Sequence, residues 1–167
     1  MTRKSCKVLF LCTGNSARSI MAEALLNHLG QGRFEAFSAG SFPTGKVNLL
    51  AVDLLQGKGL PVAGLRSKSW DEFAGRDAPR MDLIFTVCDN AAGEQCPFWP
   101  GQPVSAHWGF SDPAAVTGTD EIKRRAFEKV FQEISARIRL LLALPLEKLD
   151  RQSLQDALRA VGQQAPR

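Results

Sequence analysis

The chain has 167 residues, 44% hydrophobic and 23% charged, with a formal net charge of +4. That suits one soluble globular unit able to bury a core without disulfide staples or a structural metal. The longest apolar run, residues 140–144, is far too short to cross a bilayer, and no basic arm, aromatic-interleaved basic strand or zinc-finger spacing points to nucleic acid.

In chain order, residues 7–11 form a continuous apolar run that predicts a strand buried on both faces. Residues 19–29 show helical spacing through Ile20, Ala24, Leu25 and Leu29, stopping at Gly30. A second strand is expected over 34–38, a helix over 47–56 closed by Gly57 and Gly59, and a short helical turn over 70–73. Residues 81–87 read as a third strand running into Cys88, and 103–108 as a fourth. A long amphipathic helix is expected over 119–144, capped by Thr119 or Asp120. A shorter, peripheral helix over 149–161 follows Pro145. Strands alternating with helices predict an α/β fold: a single-domain four-stranded parallel sheet flanked by helices, with the ligand site beyond the carboxyl ends of the strands. Residues 1–145 are read as the catalytic domain, and 146–167 as a helical extension and tail of unassigned role. The basic N-terminus leads straight into the first strand with no small-residue cleavage site, so a cytoplasmic protein is expected.

The first strand runs into Cys12-Thr13-Gly14-Asn15-Ser16-Ala17-Arg18-Ser19: a thiol, five residues, an arginine, and a hydroxyl opening a helix. Five residues suffice to wrap backbone N–H groups inward around a tetrahedral oxyanion, and the helix adds its N-terminal dipole. Arg18 offers a planar fork to two oxyanion oxygens. The same positive field is expected to lower the Cys12 pKa below its ordinary value of ~8.5. Ser19 is a candidate donor to the sulfur, Gly14 supports the turn, and Asn15 suits a left-handed brace.

Residues 8–25, with this loop inside them, resemble the signature of the low-molecular-weight tyrosine-phosphatase superfamily, and more closely its arsenate reductases, whose loop begins Cys-Thr-Gly-Asn-Ser. The resemblance extends over about residues 6–142. It implies a covalent cysteine–oxyanion intermediate and no tightly bound cofactor. Expulsion of oxygen from the oxyanion needs a proton donor. Asp112, followed by Pro113, matches the family's general acid, although an Asp-Pro pair also serves simply to start a turn.

Four cysteines occur: Cys6, Cys12, Cys88 and Cys96. No C-x-x-C pair exists and neither His28 nor His107 makes a ligand spacing with them, so no metal site is expected. Cys88 and Cys96, seven residues apart around a small, polar segment, resemble the thiol pair of thioredoxin-coupled arsenate reductases. That resemblance implies a relay from Cys12 through Cys88 to Cys96, with thioredoxin, or else a glutaredoxin or glutathione, as external reductant. Each has a plainer reading, Cys88 as a strand-end residue and Cys96 as a loop filler; for Cys6 the plain reading is preferred. Some relatives bind potassium near the loop, and Asn15, Glu23 and Ser38 match three of its ligands. Lys68 falls at the fourth, where its ammonium is expected to replace the cation and pair with Glu23.

The expected substrate is arsenate, with phosphate and sulfate as competing oxyanions, and the expected state a monomer. A phosphatase acting on phosphotyrosine or small phosphoesters would use Cys12, Arg18 and Asp112 in the same way. It would leave Cys88 and Cys96 idle, and Ala114-Ala115-Val116 stands where such phosphatases place aromatic residues. A third reading, a non-catalytic oxyanion or redox sensor, fits poorly with nucleophile, arginine and acid all present.

Overall fold

The computed structural model describes residues 5–88, 99 and 101–163. Strand β1 (Cys6–Leu11) lies between β2 (Phe34–Ala39) and β3 (Leu83–Thr86), and β4 (Val104–His107) forms the edge beyond β3. Every pair is parallel. The register places Leu11 beside both Ala39 and Thr86, and Thr86 beside His107. The segments leaving β1, β3 and β4 therefore start from one row of the sheet, which brings Cys12 and Cys88 together.

The alternation of β1 explains its unbroken apolar run. Val8 and Phe10 enter one core, while Leu9 and Leu11 enter a second, smaller one on the other face. The larger core is closed by α1 (Arg18–Leu29), α2 (Leu49–Gly57), α3 (Asp120–Ala143) and α4 (Arg151–Gly162). Across it Phe10 stacks on Phe85 and Phe85 on Trp108, with centroids 5.6 Å and 3.9 Å apart. The smaller core is covered, among the described residues, by Phe73 and Met81 with Trp70 and Trp99, and a 3-10 turn (Trp70–Phe73) supplies two of these. No described helix is long and apolar enough to cross a membrane.

Helix ends follow local chemistry. Helix α2 starts later than its periodicity suggests because Asn48 caps it, accepting from the Leu50 N–H at 2.8 Å. Thr119 caps α3 by accepting from the Ile122 N–H. Strand β3 is shorter than the apolar run, yet the Val87 N–H still reaches the Leu11 carbonyl, so only its formal ends differ.

Helix α4 is not peripheral. Leu158 is fully buried and Val161 nearly so, because amphipathic α4 lays its apolar stripe against β4. Its polar side chains reach the unpaired edge: Gln155 Nε2 donates to the Ser105 carbonyl, and Arg151 Nη1 to the Gln102 carbonyl at 2.8 Å.

Candidate active site

The loop after β1 is held from outside by its carbonyls. Those of Thr13, Gly14 and Ser16 accept from the N–H groups of Phe42, Thr44 and Asn48 at 2.9, 3.0 and 2.9 Å. Because N–H and C=O of one peptide point oppositely, this turns the amides of Gly14, Asn15 and Ala17 to the inner side, as an oxyanion nest requires. Asn15, fully buried with φ of 46°, makes the left-handed bend. Its Oδ1 accepts from the Lys68 backbone N–H at 2.9 Å, and its Nδ2 donates to Ser19 Oγ at 2.8 Å.

Arg18 opens α1 and crosses to the segment after β4. Its Nη1 donates to the Phe110 carbonyl at 2.9 Å, and its Nη2 lies 3.7 Å from Asp112 Oδ2. Asp112 is the more exposed partner and also caps a short turn (Pro113–Ala115), accepting from the Ala114 N–H at 3.0 Å. The turn-starting reading of this Asp-Pro pair is thus realised, while the carboxylate also faces Arg18. Cys12 and Cys88 are both buried and reduced, and the Thr13 N–H points at the Cys88 sulfur from 3.4 Å.

The sequence matches the low molecular weight phosphotyrosine protein phosphatase family over residues 7–155. The chain belongs to this family. Within it, the protein is 40% identical over 133 residues to an arsenate reductase of Halalkalibacterium halodurans, a match covering 79% of this chain and 91% of that one. Among solved structures it resembles an arsenate reductase of Archaeoglobus fulgidus, with a TM-score of 0.58 and 30% identity over 79% of this chain and 98% of that one. It also resembles a thioredoxin-dependent arsenate reductase of Corynebacterium glutamicum, with a TM-score of 0.60 and 26% identity. That match covers 85% of this chain and 62% of the longer protein.

One expectation for this phosphatase-family loop is reversed. The Cys12 thiol is pushed up, not down: a hydrogen bond to the Cys88 sulfur is the largest cause and burial the second, outweighing Arg18 and the Gly14 N–H, which pull it down. A second sulfur stands against the first and favours the protonated nucleophile. Cys6, at the opposite end of β1, is pushed up to about 12, by burial first and then by Asp82, in keeping with an inert thiol.

Glu23 and Lys68 pair beneath the loop. Lys68 Nζ is 3.7 Å from Glu23 Oε1, both side chains are largely buried, and Ser38 Oγ donates to the same Glu23 oxygen at 2.6 Å. Lys68 Nζ also donates to the Arg66 carbonyl. Burial raises the Glu23 pKa, with Ser38 and Lys68 opposing; burial lowers that of Lys68, with Glu23 opposing. Cys96, with the segment 89–98, lies outside the described residues.

Sequence reasoning missed Gly40. A Cβ there would sit 2.4 Å from the carbonyl oxygens of both Cys12 and Thr13, so only glycine lets β2 run on so close to the loop. Its isolation among ordinary strand-end residues gave no signal.

Proposed function

We propose that the protein reduces arsenate to arsenite, with Cys12 as nucleophile, Arg18 as oxyanion clamp, Asp112 as acid and Cys88 and Cys96 as relay thiols. The observation carrying this reading is the Cys88 sulfur, held by the Thr13 N–H at 3.4 Å in the nucleophile's own pocket. A phosphatase has no use for a second thiol there, and the relatives named above are arsenate reductases.

The amides and carbonyl-tied backbone of Thr13, Gly14, Asn15, Ser16 and Ala17, with Ser19 at the head of α1, cradle arsenate. Cys12 sulfur bonds to arsenic, and one arsenate oxygen leaves as water after taking protons from Asp112 and the thiol. Cys88 sulfur then attacks Cys12 sulfur. The S–As bond breaks, its electron pair stays on arsenic, and arsenite leaves as the Cys12–Cys88 disulfide forms. Cys96 attacks Cys88, freeing Cys12 and leaving a Cys88–Cys96 disulfide for an external dithiol to reduce. Thioredoxin is the donor we favour, supported by the thioredoxin-dependent Corynebacterium protein. No tightly bound cofactor is needed. Lys68 provides the cation beside Glu23, so added potassium changes turnover less than about twofold. The protein works as a monomer in the reducing cytoplasm, where phosphate and sulfate compete for the loop.

Following NADPH oxidation with thioredoxin, thioredoxin reductase and arsenate tests the reading. Wild-type turnover lost in each of Cys12→Ser, Cys88→Ser and Cys96→Ser is the expected result. Support only by glutaredoxin with glutathione would replace the donor. Hydrolysis of p-nitrophenyl phosphate without any arsenate turnover would restore the phosphatase.

A further inference from the structure

Arg137, on α3, is buried to 8% exposure although it is charged, and burial lowers its pKa against an opposing Glu133. Such a cation needs partners. Its Nε donates to the Val161 carbonyl at 3.0 Å, in the last turn of α4, where unsatisfied carbonyls carry the negative end of the helix dipole. Its guanidinium carbon lies 5.0 Å from the centroid of the Phe110 ring, itself buried. Phe110 is the residue whose carbonyl accepts from Arg18 at 2.9 Å. Its N–H donates to the Val87 carbonyl, one residue before Cys88.

The same helix end grips the segment a second time. Trp108 Nε1 donates to the Leu158 carbonyl at 3.0 Å, and a Cβ on Gly162 would come within 2.4 Å of the His107 carbonyl oxygen. Leu158, Val161 and Gly162 all lie beyond residue 155, where the family match stops. Trp108 and Phe110, on either side of Gly109, are thus both tied to the end of α4, one directly and one through Arg137.

We propose that Arg137 is a positioning residue for oxyanion binding: by fixing Phe110 against the end of α4 it sets the carbonyl that orients Arg18. Its described contacts are with the Val161 carbonyl and the Phe110 ring, so its effect on the oxyanion is exerted through Phe110 and Arg18. This rests only on the oxyanion-loop part of the proposed function and not on arsenate turnover, so inorganic phosphate is the probe.

The test measures the phosphate dissociation constant and the melting temperature of the full chain as wild type, Arg137→Met, Arg137→Lys and Leu158→Ala. Arg137→Met is expected to weaken phosphate binding roughly tenfold. Arg137→Lys, which keeps a cation over the ring, recovers most of that. Leu158→Ala removes packing from the same helix but keeps its carbonyl, so it lowers the melting temperature and leaves phosphate binding within twofold. Unchanged binding in Arg137→Met, or an equal loss in Leu158→Ala at equal melting temperature, would overturn the proposal. If Arg137→Met does not fold, Phe110→Leu carries the test: it removes the ring and leaves Arg137 on Val161, and unchanged phosphate affinity there overturns the proposal equally. A wild type that binds no phosphate would sink the oxyanion loop and this inference together, whereas phosphate binding without arsenate turnover removes only the reductase.

Discussion

At the scale of single residues, the nucleophile's proton is governed by its neighbour. Because Cys88 is the largest cause of the raised Cys12 pKa, Cys88→Ala is expected to lower that pKa and enlarge the thiolate fraction at neutral pH. Alkylation of Cys12 by iodoacetamide, followed against pH, should then accelerate at pH 7 with its midpoint displaced to lower pH. An unmoved profile would remove Cys88 as the cause. The loop between β1 and α1 was legible in the sequence because Cys12 to Ser19 are contiguous, with an apolar strand before them and helical spacing after. The influence of Cys88 was not, since it acts on a residue distant in sequence through a contact that only strand register creates. Gly40 was hidden for the same reason. Gly40→Ala would push a methyl into two backbone carbonyl oxygens that cannot turn aside, and we expect a loss of about 1–3 kcal/mol in urea unfolding.

At the scale of elements, hydrophobic period located the four strands and the long helices, and side-chain caps set the starts of the second and last helices. Asn48 displaced the start of α2, a cap that periodicity does not weigh. The last helix was placed correctly but valued wrongly. Its apolar stripe of Leu154, Leu158 and Val161 reads as any amphipathic helix, and nothing local says that it lands on the edge strand that leads to Asp112. Leu158→Ala should cost about 2–5 kcal/mol, measured by thermal or urea denaturation, whereas a peripheral helix would lose little. The Lys68–Glu23 pair joins α1 to the segment after α2 in the same way. Lys68→Met leaves a buried carboxylate without its counter-charge, and a loss of about 3–5 kcal/mol is expected. Part of that loss should return on adding potassium, as a cation replaces the lost ammonium beside Glu23; no return would show that a free cation cannot substitute for the tethered one.

For the whole molecule, the parallel register is what converts three separate sequence signals into one site. Leu11, Thr86 and His107 share a row, so the segments that follow them deliver Cys12, Cys88 and the Phe110–Asp112 stretch to the same end of the sheet. Membership of the phosphatase family accounts for the frame, and the second thiol beside the loop is the feature on which our proposal of reduction rests. The claim at the centre is that arsenic receives its electron pair when Cys88 attacks Cys12. It is tested most directly by a single turnover of Cys96→Ser with arsenate and no reductant, followed by peptide mass spectrometry and arsenite quantification. A disulfide joining Cys12 to Cys88, formed in equal amount with arsenite, is the predicted result; arsenite released without that disulfide, or neither product, would contradict it.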